Sequence, residues 1–483
     1  MAGLVGAVPH AVAPIYNGRC FRNASAPPDE RAVTMDSTSS QQKPQRYTRR
    51  QALQTGAAAL AAATMGRVRP TSAAALKDQL RIAAVGVGNR GWADLQAVAS
   101  APRAKIVALC DVDANFLDKA TSAFDKANAY RDYRKMLDER GNEIDAVLIS
   151  TPDHMHGAIS LAAMSLGKHV YVQKPLAHNL AELRQMMNVA AEKKLVTQMG
   201  TQIHGEEAYR TAVRALRQGA IGRVREAHSW IGRGLPLPAT ERPAQGNPVP
   251  KTLDWELWQG VAPEYPYANE LYHPFNWRMW RDYGCGMLGD MGCHLFDPLF
   301  GGLDLQAPIA VKSLGPANLP DTFAPDNDVT FTFAGTPYTA DEMTIRWTNG
   351  VFKPDASKAQ LPAGVSLPDS GSFVVGEGGV MVLPHWAMPT FYRNGAPLEV
   401  SVEPAGRVDH YHEWVAACLG EGETSTPFSY GGVVTEAVLL GTTSGNFPEK
   451  MLRWNAKELK FDDEAATAMV HRKYRDGWRP AGV

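Results

Sequence analysis

The fold is decided by a stretch that reads RIAAVGVGNRG at 81–91 and KIVALCD at 105–111. A short apolar run ends at Gly86, Gly88 and Gly91, a segment with helical spacing follows, and a second apolar run comes after it. Glycines at these three positions let the backbone turn sharply and approach a pyrophosphate at a helix N-terminus. The stretch therefore predicts a strand, a turn, a helix and a strand that together bind a dinucleotide.

The second strand of this stretch ends in a carboxylate, Asp111, which lies 20 residues after Gly91. This spacing lets the carboxylate accept hydrogen bonds from the adenosine ribose. Because Asp111 would repel a 2′-phosphate, the sequence favours NAD over NADP, and Arg90 is the one residue that could reverse this preference. Asn89 and Arg90 complete the glycine loop as candidate cofactor-binding residues.

Strands and helices alternate up to residue 200, which predicts a Rossmann domain, a doubly wound parallel sheet of about six strands, in residues 77–200. Two polar segments follow predicted strands, STPDHMH at 150–156 and QKP at 173–175. Ligands bind at the carboxyl ends of the strands in such a sheet, and a proline after a lysine keeps that lysine extended. The candidate cofactor-binding residues on these segments are Thr151, Pro152, His156, Gln173 and Lys174.

Residues 201–465 have a different sequence pattern from the first domain, which predicts an α+β domain for substrate binding. A helix is expected over 204–218, and strand-like segments separated by turns predict a mainly antiparallel open sheet with helices on one face. The later strands are predicted at 309–313, 328–333, 343–347, 372–375, 380–383 and 398–402. Two further helices are expected at 410–419 and 430–447, and residues 466–483 are a C-terminal tail.

Glycines lead into a predicted helix on which Asp290 and His294 share one face. A carboxylate beside an imidazole can set its tautomer and adjust its pKa for proton transfer near neutral pH. The alternative is a capping or exposed Asp with a buried structural His, and the spacing names no third ligand for a metal. The Pro- and aromatic-rich segment before this helix is either a core plug or a surface that stacks on sugar rings.

Residues 1–76 have a composition unlike the rest of the chain. An Ala/Pro/Ser-rich leader is followed by RYTRRQAL at 46–53, a weakly apolar run and TSAAA at 71–75. These are the three parts of a twin-arginine export signal, although an amphipathic helix after a tail is an alternative. The apolar run is shorter than the ~20 residues of a membrane span, so we expect cleavage, not a stable anchor. The sequence therefore predicts engagement of the twin-arginine machinery and a periplasmic or otherwise exported protein.

The charge balance and the cysteines exclude several classes of partner. The 483-residue chain has a formal net charge of −1, so it lacks the basic field that a nucleic-acid partner would need. Its five cysteines contain no C-x-x-C pair, which argues for free thiols and against a disulfide framework or a zinc site. A small molecule is therefore the expected partner.

With these motifs in order, residues 80–465 resemble the Gfo/Idh/MocA oxidoreductases, the family of glucose-fructose oxidoreductase and inositol dehydrogenase, and the leader resembles their exported bacterial branch. The resemblance implies that Lys174, Asp290 and His294 are catalytic. It implies that the loop from Thr151 to His156 flanks the cofactor. One departure is Gln173, which stands where the family usually has Glu, so a charge near the nicotinamide is deleted while an acceptor remains.

The leading function hypothesis is hydride transfer between a tightly bound NAD and a sugar, polyol or glycoside. His204, His273, Arg278 and Tyr283 are candidates for binding other substrate hydroxyls. One alternative is an NAD-dependent glycoside hydrolase that works by transient oxidation, elimination and re-reduction. Another is a non-catalytic sugar-binding protein on the same fold. The family resemblance also implies a homo-oligomer formed through the C-terminal sheet.

Overall fold

The fold is described from a computed structural model that covers residues 78–237, 239–480 and 482–483. The leader and the export signal predicted for residues 1–76 lie outside the described residues. Within these residues, no helix combines the length and the apolar character that a membrane crossing requires.

The N-terminal domain is built on a parallel sheet, as the sequence predicts. Its elements are β1 (Leu80–Val85), α1 (Arg90–Ala99), β2 (Ala104–Cys110), α2 (Ala114–Ala123), β3 (Asn128–Tyr130), α3 (Tyr133–Arg140), β4 (Ala146–Ile149), α4 (His156–Ser165), β5 (His169–Gln173), α5 (Leu180–Glu192) and β6 (Thr197–Gly200). The six strands of this described sheet lie in the order β3-β2-β1-β4-β5-β6, and all neighbours are parallel. The order reverses between β1 and β4, where such sheets bind their ligands.

Both faces of this sheet are covered by helices. In β1, Ile82 and Ala84 pack in one buried cluster with α1 and α2, whereas Ala83 and Val85 pack in another with α3, α4 and α5. Successive residues of a strand point to opposite faces, so a strand buried on both faces needs a continuous apolar run. This requirement explains why β4 is apolar throughout and why β1 is apolar from Ile82 to Val85.

The second domain is built on a larger sheet that is mainly antiparallel, again as predicted. Its elements are α6 (Glu207–Arg217), β7 (Val224–Ile231), α7 (Trp255–Gln259), α8 (Gly286–Leu303), β8 (Ala310–Ser313), β9 (Asn327–Ala334), β10 (Thr339–Asn349), β11 (Ser370–Gly376), β12 (Val380–Pro384), β13 (Thr390–Arg393), β14 (Ala396–Pro397), α9 (His410–Cys418), α10 (Phe428–Ser444), β15 (Leu452–Asn455), β16 (Lys460–Phe461) and α11 (Glu464–Ala468). The described strands lie in the order β14-β13-β12-β11-β7-β10-β9-β8-β15-β16. Neighbours are antiparallel except β7 and β10, which run parallel.

Helices of the second domain join the two domains. α10 packs against α8 of its own domain and against α5 and β6 of the first. α9 lies against α1, where Trp414 and Val415 are buried in the cluster on that face of the parallel sheet. Side chains carried by α8, α9 and the parallel sheet are therefore held at fixed positions relative to one another.

Two of the predicted elements are wrong. Residues 398–402 are not a strand, because the chain turns at Asn394 and Gly395 to form the short β13–β14 hairpin at the sheet edge, and no further strand lies beyond it in the described sheet. The helix expected over 204–218 begins only at Glu207, after a 3₁₀ turn at Gln202–Gly205. Glu206 has an extended backbone, with a φ of −77° and a ψ of 142°, and this residue separates the turn from the helix.

Candidate active site

A cavity of about 310 Å³ opens at the carboxyl edge of the parallel sheet. Residues at the ends of β1, β2, β4 and β5 line one side of it, and Asp290 and His294 of α8 line another. The ligand-binding edge of the first domain and the acidic and imidazole groups of the second therefore share one cavity.

The glycine turn between β1 and α1 fits a dinucleotide. Gly86 has a φ of 79°, and a Cβ there would lie 2.8 Å from the carbonyl carbon of Ser150. A Cβ at Gly88 would overlap the Phe116 ring, and a Cβ at Gly91 would overlap the Gly86 carbonyl oxygen. Gly86 and Gly88 line the cavity, whereas Gly91 lies behind the turn and lets it close. The turn therefore leaves room for a pyrophosphate to approach its backbone, as the glycine spacing predicts.

Asp111 lies at the adenosine end expected for this turn and lines the cavity. Its carboxylate accepts hydrogen bonds from the backbone nitrogens of Val87 at 2.8 Å and Asp113 at 2.9 Å. Burial raises the pKa of Asp111, and these two bonds oppose that shift. Each oxygen accepts one of these bonds, so lone pairs remain that can accept bonds from ribose hydroxyls.

The two other residues of the glycine loop are placed differently. Asn89 has a φ of 46° and lines the cavity. Arg90 also borders the cavity, but its Nε pairs with Asp94 at 2.9 Å and its Nη2 donates to the Tyr411 hydroxyl. Two of the three guanidinium nitrogens are thus engaged within the protein, which leaves Nη1 as the nitrogen that could meet a 2′-phosphate.

The loop after β4 contributes cavity residues and one buried clamp. Thr151 and Pro152 line the cavity. His156 does not: its Nδ1 lies 2.7 Å from the Pro175 carbonyl oxygen and its Nε2 lies 2.9 Å from the Thr151 carbonyl oxygen. Burial lowers the pKa of His156 to about 4. The structure therefore places His156 as a link between this loop and the segment after Lys174.

Lys174 at the end of β5 meets α8 through an ion pair. Its Nζ donates to the carbonyl oxygen of Asp290 at 2.6 Å and to Oδ1 of Asp290 at 2.7 Å. Arg278 Nε lies 3.2 Å from the same Oδ1. Burial would raise the pKa of Asp290, but the charges of Lys174 and Arg278 outweigh it and hold that pKa below its usual value. Asp290 is therefore an anion shared by two cations.

A hydroxyl group orients His294. The shared helix face had suggested that Asp290 would do so, but it does not. His294 Nδ1 lies 3.2 Å from Thr201 Oγ1, and no hydrogen bond joins it to Asp290 among the described residues. Asp290 is instead drawn toward the nearby cations Lys174 and Arg278. Burial, with the nearby Lys174 charge, lowers the pKa of His294 well below its usual value. The imidazole is therefore neutral at physiological pH.

The four predicted substrate residues separate into two groups. His273 and Arg278 line the cavity, whereas His204 and Tyr283 do not. His204 Nδ1 pairs with Asp297 at 2.9 Å; burial would lower its pKa, but Asp297 raises it. Tyr283 is fully buried among aromatic rings. His204 and Tyr283 therefore support the cavity from behind in this structure.

Several cavity or supporting residues were not singled out from the sequence. Asp153 lines the cavity, and burial raises its pKa to about 7 against the opposing charges of Lys174 and Arg278. The pairing of Asp94 with Arg90 could have been predicted from the sequence. Asp94 lies four residues after Arg90 on α1, and residues at i and i+4 on a helix are neighbours. No comparable spacing pointed to Thr201, which contacts His294.

An aromatic insert, residues 253–283, covers the cofactor edge. Most of its aromatic rings form one buried cluster, so the plug interpretation holds for them. The insert also contacts the loop after β2, where His273 Nε2 lies 2.9 Å from Asp113 Oδ2. Directly before the insert, the Thr252 carbonyl oxygen accepts a hydrogen bond from Nη2 of Arg131, which follows β3, at 2.9 Å. Phe275 and Trp277 line the cavity, and the centres of their rings lie 4.4 and 4.3 Å from Cζ of Arg278.

The thiols and the acidic groups of the described chain form neither bridges nor a metal centre. Cys110, Cys285, Cys293 and Cys418 are free thiols, and Cys20 lies outside the described residues. No group of three or more His, Cys, Asp or Glu residues in the described ranges is arranged to hold a metal ion.

Together, the fold and this cavity define a two-domain protein whose first domain is a Rossmann domain with a dinucleotide-binding turn. Two sequence models of one family match the chain: the oxidoreductase family, NAD-binding Rossmann fold, over residues 80–201, and the oxidoreductase family, C-terminal alpha/beta domain, over residues 239–339. Both matched regions are therefore assigned to the Gfo/Idh/MocA oxidoreductase family.

Curated relatives match over part of their length. Levoglucosan dehydrogenase from Pseudarthrobacter phenanthrenivorans is 26% identical over 197 residues, which are 41% of this chain and 41% of that protein. A glycosyl hydrolase family 109 protein from Shewanella putrefaciens is 26% identical over 156 residues, which are 30% of this chain and 34% of that protein. The chain thus spans less than half the length of either relative.

Solved structures share the fold over most of the chain. Levoglucosan dehydrogenase in complex with NADH and levoglucosan has a TM-score of 0.55 and 18% identity, and the match covers 78% of this chain and 99% of that one. The WlbA dehydrogenase from Bordetella pertussis, in complex with NADH and UDP-GlcNAcA, has a TM-score of 0.56 and 17% identity over 78% of this chain and 99% of that one. At these identities the likeness shows the fold alone.

Proposed function

We propose that the protein transfers hydride between a tightly held NAD and a carbinol or ketone carbon of a sugar, polyol or glycoside. The observation that carries this proposal is the meeting of Lys174, Asp290 and neutral His294 in the cavity that contains the dinucleotide turn. Bound NAD would supply a nicotinamide carbon that accepts or returns hydride. The relatives named for levoglucosan, a sugar derivative, support the substrate class.

The three side chains supply complementary proton and charge chemistry. Two of the three N–H groups of Lys174 bond to Asp290, so the third can donate to the reacting substrate oxygen and stabilise its negative charge. When His294 Nδ1–H donates to Thr201, its Nε2 carries the lone pair that takes the hydroxyl proton. Asp290 Oδ2 has no hydrogen-bond partner in the described chain and can accept from a neighbouring substrate hydroxyl.

Single-turnover reduction of the bound nucleotide tests this proposal. Purified protein is mixed with a panel of sugars, polyols and glycosides, and NADH absorbance is followed. With the substrate that responds best, Lys174→Met and His294→Ala should each slow reduction by about 100-fold or more. Lys193→Met, which changes an exposed lysine bonded only to the Ser165 carbonyl oxygen, is the matched control. Reduction that is unchanged in both site variants would contradict the roles assigned to Lys174 and His294, whereas no reduction with any compound of the panel would favour the non-catalytic binding alternative.

The glycoside hydrolase mechanism is a second candidate, because several matching relatives are named as glycosyl hydrolase family 109 proteins. The same groups would serve it, since transient oxidation needs the same base and the same cationic donor. Nitrophenyl glycosides separate the two reactions. Aglycone release without net accumulation of NADH would identify the hydrolase, whereas accumulation of NADH without aglycone identifies the dehydrogenase.

The aromatic insert supports tight retention of the cofactor, because it covers the adenosine edge through the pair of His273 and Asp113. The purified protein should therefore keep its nucleotide through dilution and gel filtration, as mass spectrometry of the denatured protein would show. His273→Ala should release nucleotide faster. His228→Ala, which removes a histidine paired with Glu226 in the C-terminal sheet, should not. Loss of the nucleotide from the unmodified protein would contradict this proposal.

We also propose that the protein is exported to the periplasm by the twin-arginine route, because the chain has paired arginines at positions 49 and 50. This route carries folded proteins, so a retained cofactor could cross with the chain. Changing both arginines to lysine should leave the precursor in the cytoplasm, as cell fractionation would show. A full periplasmic yield from that variant would contradict the proposal.

We also propose a homo-oligomer that forms through the C-terminal sheet. Helices α8 and α10 pack along strands β7 to β10 of this sheet. A second copy would then meet a part of the sheet that these helices leave uncovered. Light scattering coupled to gel filtration would measure the mass, and a monomer at micromolar concentration would contradict this proposal.

A further inference from the structure

Asp94 on α1 is a fully buried carboxylate with no role in the chemistry described above. Its Oδ1 accepts from the Tyr411 hydroxyl at 2.6 Å and from Arg90 Nε at 2.9 Å. Its Oδ2 accepts from Ser150 Oγ at 2.8 Å and from Gln173 Nε2 at 2.8 Å. Four donors occupy the acceptor sites of an ionised carboxylate, so Asp94 carries a negative charge.

These four donors come from four separate segments, which we call the Asp94 network. Arg90 is the first residue of α1 and lies within the glycine motif, and Ser150 follows β4 at the edge of the cavity. Gln173 ends β5 and directly precedes Lys174, whereas Tyr411 lies on α9 of the second domain. One buried charge therefore links the cofactor loop, two strand ends and the other domain.

The contact with Asp94 changes the interpretation of Gln173. The family resemblance had suggested that Gln173 keeps an acceptor where Glu is usual, but here its amide donates to a carboxylate. A Glu at position 173 would place two carboxylates within hydrogen-bond distance, where both cannot be ionised without repulsion. The hydrogen bond between positions 94 and 173 therefore needs one amide and one carboxylate. In this chain the carboxylate is at position 94 and the amide is at position 173.

We propose that Asp94 is a positioning residue. From α1 it supplies the negative charge that is missing where Gln173 stands in place of the usual Glu. Through Gln173 it fixes the strand end that presents Lys174, and through Arg90 it fixes the loop that holds the pyrophosphate. This inference rests on the proposed function only for the role of Lys174. The link to the cofactor loop stands on the network itself.

An exchange of the two side chains tests the proposal. The variants are Asp94→Asn, Gln173→Glu and the double variant that combines them, which restores one carboxylate and one amide in the opposite order. Asp145→Asn is the matched control, because it removes a buried carboxylate paired with Arg81 in the same domain. The readouts are the dissociation rate of NADH, followed by its fluorescence on dilution, the single-turnover rate and the thermal unfolding temperature.

Each single variant should release NADH about 10- to 100-fold faster, because a hydrogen bond to a charged group is lost or two carboxylates repel. The double variant should recover most of this loss, and Asp145→Asn should lower stability without changing NADH release. In Gln173→Glu the two carboxylates must share a proton, so release should accelerate as pH rises toward neutral. The unmodified protein and the double variant should lack that acceleration.

A double variant that releases NADH as fast as the worse single variant would overturn the proposal. So would a Gln173→Glu variant with unmodified, pH-independent release. If a single variant fails to fold, the double variant still decides, because it alone restores both the charge and the amide. NADH release needs no sugar, so a failed sugar assay counts against the proposed function and leaves this test intact.

Discussion

The two sides of the cavity differ in how far apart their residues lie along the chain. On the cofactor side, Gly86, Gly88 and Asp111 come from one strand, turn, helix and strand unit, and the carboxylate contacts the turn directly through the Val87 nitrogen. On the chemical side, Lys174 and Asp290 are 116 residues apart and meet only because α8 packs over the end of β5.

This difference shows which part of the site tolerates change. The cofactor side depends on a backbone turn that packs closely on itself and must approach the pyrophosphate. An added side-chain atom there should therefore weaken cofactor binding. The chemical side depends on charges that neutralise one another, so a changed charge is costly there. Variants that add an atom without changing charge, or change charge without changing size, should separate the two sides.

The largest expected effect is from Gly91→Ala on the cofactor side. A Cβ at this position would overlap the Gly86 carbonyl oxygen, so the turn cannot keep its shape. NADH affinity, measured by fluorescence titration, should fall by about 100-fold or more. Gly141→Ala is the control, because its Cβ would meet only a Leu166 side-chain atom at 3.8 Å. Equal affinity in both variants would show that the turn does not set cofactor binding.

The same difference explains how much could be predicted from the sequence. The glycine spacing, Asp111 and the strand ends were recognisable, because local spacing determines them. His294 was one of two expected partners of Asp290, beside a substrate hydroxyl, and the structure gives Asp290 two cations instead. Sequence spacing shows the shared helix face but not these cations, which come from the segment after β5 and from the insert. Similarly, 398–402 has strand-like alternation but no neighbouring strand beyond it, and the edge strands β13, β14, β15 and β16 were not predicted.

On the chemical side, Asp290→Asn should have the next largest effect. The substitution keeps the size of the side chain but leaves Lys174 and Arg278 without their shared anion. The single-turnover rate should fall by about 100-fold, while NADH affinity changes by only about threefold or less. Asp328→Asn removes an anion paired with Arg346 in the C-terminal sheet and is the control for lost stability. A large loss of NADH affinity in Asp290→Asn would mean that the two sides are not separable.

The smallest expected effect concerns Asp153, which lies in the cavity between the two sides. Burial raises its pKa to about 7, so between its unfolded value near 3.8 and about 7 the native protein binds more protons than the unfolded chain. Its contribution to stability is therefore present at low pH, declines as pH rises through this range and is level above about 7. Asp153→Asn cannot titrate, so its stability relative to the unmodified protein should increase across the range by a few kcal/mol at most. Urea unfolding between about pH 4.5 and 8 measures this difference. A difference that does not vary with pH would show that Lys174 and Arg278 keep Asp153 ionised, and Asp153 would then belong to the charged side of the cavity.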